Sequence, residues 1–363
     1  MKYINEYRKP STIKKIAKEI HIAAEQIPHK VNLMEVCGTH TMTIGRFGIR
    51  QLLPQNIKLI SGPGCPVCVA PDEYIDTAIA LSDNTDTIIA TFGDMVRVPG
   101  SFSSLEKEQA KGKDIRTVYS PLEALDIAKG NPLKKVVFLG VGFETTAPTV
   151  ALVIKKASVS EIKNFLVLAG HKLITPAMEA LLEDREVKID GFICPGHVSA
   201  VIGAVPYKHL TNLFCVPCVI AGFEPVDILE AILLLIKNLS INSNSVEIQY
   251  KRAVKEEGNR KAQEAMEEVF DVLDSEWRGL GMIRESGLAI KKKYRDIDAK
   301  YGLPVKLRRS KSRSECICGD ILKGKKIPPA CKLFGKACTP ENPIGPCMVS
   351  SEGSCAAYYK YGG

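Results

Sequence analysis

Aromatic residues are scarce in this chain of 363: one Trp, 11 Tyr and 11 Phe, 6% in all. Surfaces that read single-stranded nucleic acid stack bases on clustered rings, and no such cluster stands out. Long apolar runs are missing too. The longest block, 232–236, falls far short of the roughly 20 residues a bilayer-spanning helix needs, which excludes a helical membrane protein. The first ten residues are charged and hold no apolar stretch of signal-peptide type, so the expectation is a cytoplasmic protein with no membrane partner. Cysteine, at 12 of 363, is too dilute for a disulfide scaffold. Hydrophobic residues at 45% and charged residues at 25% exclude disorder as the main state, and the length allows two or three domains.

What is present is unevenly placed. The net charge is +8, and ten Lys/Arg lie between Lys291 and Arg313 against only Asp296 and Asp298. With no aromatic reading surface beside it, this stretch reads as a solvated helix end and linker, and nucleic acid is not expected as a partner. Six of the 12 cysteines (Cys316, Cys318, Cys331, Cys338, Cys347 and Cys355) fall in the last 48 residues. In a cytoplasmic setting such clustering means metal or redox chemistry before disulfides.

Hydrophobic periodicity predicts helices over 11–27, 72–82, 121–128, 146–157, 176–182 and 226–239. Buried strands are predicted over 31–36, 57–60, 87–91, 135–141, 165–169, 191–194 and 214–221. Strands alternating with helices imply parallel α/β sheets. The segment from Lys30 to Thr41 is echoed from Lys135 to Thr146, Pro63–Gly64–Cys65 at Pro195–Gly196–His197, and Phe92–Gly93–Asp94 at Gly222–Phe223–Glu224. The echoes suggest two related α/β domains, 30–127 and 128–240. A helix within 1–29 is expected to pack on a third domain, 241–363. That domain is expected to be mainly helical and irregular, opening with a long helix over 252–277. After Lys323 the Cys-, Gly- and Pro-rich chain cannot build a core alone and calls for a metal staple.

Several motifs carry chemistry. Cys37, with His40 three residues on, follows the first strand, where open α/β sheets place their sites. The His is suited to orient or deprotonate the thiol, although a buried structural Cys is an equal reading. Cys65–Pro66–Val67–Cys68 lies in a Gly/Pro turn ahead of a helix, which favours a low thiol pKa and reversible disulfide chemistry. Cys215 and Cys218 have the same spacing inside a strand-like run, where residues three apart face opposite sides, so they are read as structural. Gly140–Val141–Gly142–Phe143–Glu144 lacks the last Gly of a dinucleotide loop, and there is no Gly-Lys-Thr of a P-loop. His197 ends another strand. In the tail, Cys316, Cys331, Cys338 and Cys355 leave Cys318 and Cys347 over as alternates. No paired knuckles of zinc type occur, and four loosely spaced thiolates suit a [4Fe–4S] cluster; zinc and plain reduced thiols stay open.

Together these stretches resemble the HypD family of hydrogenase maturation factors: CGTHTM at 37–42, GPGCPVC at 62–68, FGDMVRVPG at 92–100, GFETTAPT at 142–149, PGHVSAVIG at 195–203, AGFEP at 221–225, and the tail over 316–361. The resemblance implies two α/β domains of similar topology and a third bearing a [4Fe–4S] cluster on Cys316, Cys331, Cys338 and Cys355. It implies a scaffold that, with the chaperone HypC, assembles the Fe(CN)₂CO group of [NiFe]-hydrogenases, receives cyanide from HypE, and serves the hydrogenase large subunit indirectly. Cys37 would hold that iron, and Cys65 and Cys68 would be a redox dithiol. Soft thiolates suit low-spin Fe(II) carrying cyanide and CO. His40, Glu144 and His197 are further candidates around the iron. Two rivals are an Fe–S-dependent thiol–disulfide oxidoreductase acting on a protein substrate and a basic RNA-binding Fe–S protein.

Overall fold

Short Val/Ile/Leu runs, each cut by Gly, Pro or a polar turn, become strands. The computed structural model describes residues 5–307 and 315–362. Its first nine strands are β1 (Val31–Glu35), β2 (Ile57–Ser61), β3 (Thr87–Thr91), β4 (Ile115–Thr117), β5 (Lys135–Gly140), β6 (Phe165–Ala169), β7 (Gly191–Pro195), β8 (Cys218–Ala221) and β9 (Val246–Ile248). They form two sheets, ordered β2-β1-β7-β8-β9 and β4-β3-β5-β6. Every pairing in both is parallel. The expected pair of parallel α/β units is therefore present.

The division at 127/128 does not follow the sheets. The first sheet takes β1 and β2, then waits for β7 to β9 until the second sheet is complete. The echo of Lys30–Thr41 at Lys135–Thr146 does join equivalent strands, since β1 and β5 are each interior to their own sheet. Read from β2 and from β6, the orders β2-β1-β7-β8 and β6-β5-β3-β4 correspond, so the two units are related with their chain order permuted. The other two echoes do not join equivalent strands: Pro63–Gly64–Cys65 and Pro195–Gly196–His197 lie at the ends of β2 and β7 of the same sheet, and Phe92–Gly93–Asp94 and Gly222–Phe223–Glu224 follow β3 and β8, which hold different places in the two orders. Hydrogen-bonding neighbours are set by contacts far apart in sequence.

Period-2 alternation explains both cores. In the first sheet Leu33, Leu59, Ile193 and Val219 face one side, where helices Pro10–Ala24 and Pro225–Ser240 cover them. The N-terminal helix thus packs on this unit rather than on the third domain expected to receive it. Met34, Ile60, Phe192 and Ile220 face the other side, and the Cys-rich tail lies there: Ile321, Leu322, Cys338, Cys347, Met348 and Cys355 share one core with them. The tail borrows a core from the sheet instead of standing alone.

The region after 250 departs from expectation. Helix Arg260–Val269 is followed by an antiparallel hairpin, β10 (Phe270–Trp277) and β11 (Gly281–Ile290), not by a helix running to Trp277. Val269, Phe270 and Leu273 fit either period, and Gly279 and Gly281, at φ +80° and +87°, form the hairpin turn rather than a helix cap. Cys215 is also displaced: it caps helix Val205–Phe214 in a left-handed conformation, and β8 begins only at Cys218. The described part of the basic stretch is engaged locally. Lys293 pairs with Glu268, and the Arg295 guanidinium lies over the Tyr301 ring. Arg308, Arg309, Lys311 and Arg313 lie outside the described residues. No described helix is long and apolar enough to cross a membrane.

Candidate functional site

In the first sheet the chain order reverses between β1 and β7, and the crevice beyond the carboxyl ends of such strands is where open α/β sheets bind ligands. Cys37 follows β1 and His197 follows β7, so both sit at that crevice. Cys37 is the N-cap of helix Gly38–Arg46 and is 8% exposed. The backbone N–H groups of Thr39 and His40 and the Thr39 hydroxyl lie near its sulfur without a capping hydrogen bond to it. These favour a thiolate, but burial and the facing Glu352 carboxylate outweigh them and push the thiol up to about 12.

The neighbouring loops are pressed against Cys37. A Cβ on Gly64 would lie 2.1 Å from the Cys37 nitrogen, and a Cβ on Gly38 would lie 2.5 Å from Glu352 Cβ and 2.6 Å from its carbonyl oxygen. Only glycine permits either approach. Gly38 N–H donates to Gly64 O at 3.1 Å, fixing the Cys65 loop beside Cys37. Thr39 Oγ1 donates to Glu352 Oε1 at 2.6 Å, fixing the tail on the other side. Glu352 is a site residue the sequence reading missed. Its signal was its position between Cys347 and Cys355.

Cys65 caps the short turn Pro66–Val69, and Cys68 N–H donates to Cys65 O at 3.1 Å. Both are buried. The Cys68 thiol points to Pro346 O at 3.9 Å with the Cys347 and Cys65 thiols beside it, and these two neighbours together with burial raise it well above the ordinary value. The low pKa expected from a helix start is overturned for Cys68: a four-residue turn has little dipole, and the two neighbouring thiols and burial act against the charge. Cys347 thus belongs beside the dithiol as well as beside the tail thiols.

In the tail, burial and then Cys347, Cys316, Cys338 and Cys331 raise the Cys355 thiol. The other three expected ligands therefore lie near Cys355, and so does Cys347. Cys318 instead hydrogen-bonds to Cys316. Ile344 N–H donates to Cys338 Sγ at 3.3 Å. Among the described residues no three His, Cys, Asp or Glu side chains are gathered closely enough for one shared metal ion.

The remaining candidates separate. His40 is fully buried, its Nε2 is 2.9 Å from Gly222 O, and its ring stacks on Phe223 at 5.0 Å. A carbonyl only accepts, so Nε2 carries the hydrogen. Burial lowers the His40 pKa to about 4, which makes it a poor base for the thiol; its backbone N–H, not its ring, lies near Cys37. His197 also stacks on Phe223, with ring centroids 3.8 Å apart, and feels Glu352. Glu144 turns elsewhere, accepting from Ile174 N–H at 3.0 Å. Cys215 is exposed, while Cys218 is buried and pairs with Cys194, a contact the sequence did not suggest.

One expected result follows from Cys37. With its thiol held to about 12, only about one molecule in ten thousand is ionised at pH 8. Alkylation by iodoacetamide, followed by mass spectrometry, is expected to be slow at pH 8 and to rise about tenfold per pH unit toward 10, because rate follows thiolate. Glu352→Gln, which removes the repelling charge, shifts that profile to lower pH; an unchanged profile would show that Glu352 does not act on the thiol.

The sequence model of the HypD family, described as the hydrogenase formation hypA family, matches residues 11–362. The chain is 46% identical to hydrogenase maturation factor HypD2 of Bradyrhizobium diazoefficiens and 47% identical to hydrogenase maturation factor HypD of Cupriavidus necator, covering 100% of this chain and 97% of each relative. It is 42% identical to hydrogenase maturation factor HypD of Escherichia coli, covering 99% and 98%.

Proposed function

We propose a function from one premise: the chain belongs to the HypD family, whose named members are hydrogenase maturation factors. It acts in hydrogenase maturation. Its specific role is that of a cytoplasmic scaffold on which iron receives cyanide and CO, in company with a HypC-type chaperone and a HypE-type cyanide donor, before transfer toward the hydrogenase large subunit. The observation that carries this reading is the enclosure of one thiol, Cys37, by the dithiol loop on one side and the tail's Glu352 on the other.

The iron is the cargo. Taking it up costs Cys37 its proton, and Glu352 is placed to receive it. The Thr39 and His40 N–H groups then hold the thiolate that remains. Closing a disulfide between Cys65 and Cys68 releases two protons and two electrons, and reopening it takes them back. Cys68 has a second possible partner in Cys347. The tail's donor set is all sulfur: Cys331, Cys338 and Cys355 are buried, Cys316 is half-buried, Cys316, Cys331 and Cys338 all act on Cys355, and a backbone N–H is aimed at the Cys338 sulfur, a donor set of the kind clusters use. Cys316, Cys331, Cys338 and Cys355 would hold a [4Fe–4S] cluster there, which supplies single electrons when bound.

The test is infrared spectroscopy of the protein purified anaerobically with its HypC-type partner. Cyanide and CO stretches are expected. A partner bound stoichiometrically without those bands, or thioredoxin-like partners in its place, would move the reading to a thiol–disulfide oxidoreductase. Mass mapping after mild oxidation is expected to link Cys68 to Cys65 or Cys347, and never Cys215 to Cys218. Recovery of all three as unmodified thiols would remove the dithiol from the mechanism.

A further inference from the structure

Away from Cys37, a crevice of about 300 Å³ opens where three parts of the molecule meet. The loop after β5 supplies Glu144, the helix Ile174–Glu183 begins on its edge, Ile202 and Pro206 come from the first unit, and helix Arg260–Val269 with the β10–β11 hairpin closes it. Leu173, Met266, Phe270 and Leu288 make most of its wall apolar. Junctions between units, mostly apolar with a few polar groups, are where small molecules bind.

The polar residues on that wall are Glu144, Gln263, Glu267 and Thr175, whose hydroxyl can donate or accept. Glu144 is 3% exposed; its Oε1 accepts from Ile174 N–H, and its Oε2 is buried with no hydrogen-bond partner. Gln263 spends its amide hydrogens on Val201 O at 2.7 Å and Glu257 O at 2.8 Å, so its carbonyl oxygen is what it has left to offer. The charged wall residues are Glu144 and Glu267, both acidic, with no Lys, Arg or His among them. Acidic acceptors with no cationic donor, in an apolar setting, call for a ligand with an apolar body and a donating, positively charged head. An anion would meet two carboxyl groups and no cation.

We propose that this crevice binds a small apolar organic amine, whose ammonium group donates to Glu144 Oε2 while its hydrocarbon body lies against Met266, Phe270 and Leu288. The site is separate from the iron reading and does not depend on it. Burial, which holds the Glu144 carboxyl up to about 7, is a cost that a cationic head relieves by pairing.

The experiment uses the full chain and three probes of one shape: phenethylamine, 2-phenylethanol and phenylacetate, followed by saturation-transfer NMR. Phenethylamine is expected to bind at least about tenfold more tightly than the alcohol, the advantage of a charge-assisted hydrogen bond, and phenylacetate least of all. Glu144→Gln keeps the acceptor for Ile174 N–H and is expected to bring the amine down to the alcohol's affinity. Met266→Trp, which fills the crevice, is expected to abolish binding of both. An amine that binds no better than the alcohol, or that binds Glu144→Gln unchanged, overturns the proposal. Should Glu144→Gln fail to fold, the Met266→Trp protein decides: amine binding that survives there places the amine elsewhere and overturns it equally.

Discussion

Cys338→Ala protein, purified without oxygen, is expected to be colourless, where the parent is brown with about four irons and four sulfides bound. Cys338 is 6% exposed, faces Cys355 with the other three thiols, and is fixed by the Ile344 N–H. Alanine leaves three sulfurs for a centre that takes four. The second half of the expected result concerns the fold. Ile321, Leu322 and Met348 stay packed on the face of the first sheet that carries Met34 and Ile60. The sheets should therefore remain, with near-parental far-UV circular dichroism. Loss should concentrate between 316 and 355, where turns outnumber regular elements and the proposed cluster would supply the missing constraint. Limited proteolysis should cut there many times faster than in the parent. A colourless parent carrying one equivalent of zinc would refute the cluster at once.

Most of the two sheets was legible because their strands are short, β-branched and bounded by Gly or Pro, and because β-strand and α-helix periods differ. Phe270–Trp277 was not legible as a strand: Val269, Phe270 and Leu273 satisfy a helical period, and only pairing with Gly281–Ile290 selects the strand. The association of β7, β8 and β9 with β1 was hidden for a related reason, since a parallel neighbour leaves no local mark. Cys37, Cys65 and Cys68 stood out as candidates because they sit beside Gly and Pro at strand ends, and the Gly38 N–H bond to Gly64 O does bring their two loops together. Glu352 did not stand out, because one acidic residue in a polar tail looks solvated until Gly38 lets the chain approach it. His40 shows the converse. Its sequence distance from Cys37 suggested a base, while a fully buried ring bonded to Gly222 O is a wedge between loops.

Cys37→Ser carries the largest functional consequence. It is expected to keep the brown colour and the fold, to lose the cyanide and CO infrared bands, and to drop hydrogenase maturation to background in a complementation assay. Retention of the fold follows from the position. Residue 37 is a helix N-cap with the N–H groups of Thr39 and His40 close by, a position that serine favours more than most residues. Stability should be unchanged or raised by about 0.5–1 kcal/mol, read from the urea midpoint at constant slope. Loss of function follows from the donor atom. A serine hydroxyl keeps its proton and is a hard ligand, whereas low-spin Fe(II) carrying cyanide and CO calls for a soft thiolate. The tail thiols lie around Cys355 rather than residue 37, so the sulfide content and the iron that goes with it should match the parent, and only the cargo iron should be lost. That combination separates scaffold from fold: an unfolded variant would lose colour and bands together. Normal maturation by Cys37→Ser would remove this thiol from the iron and leave the Cys65–Cys68–Cys347 group as the working centre of a reductase.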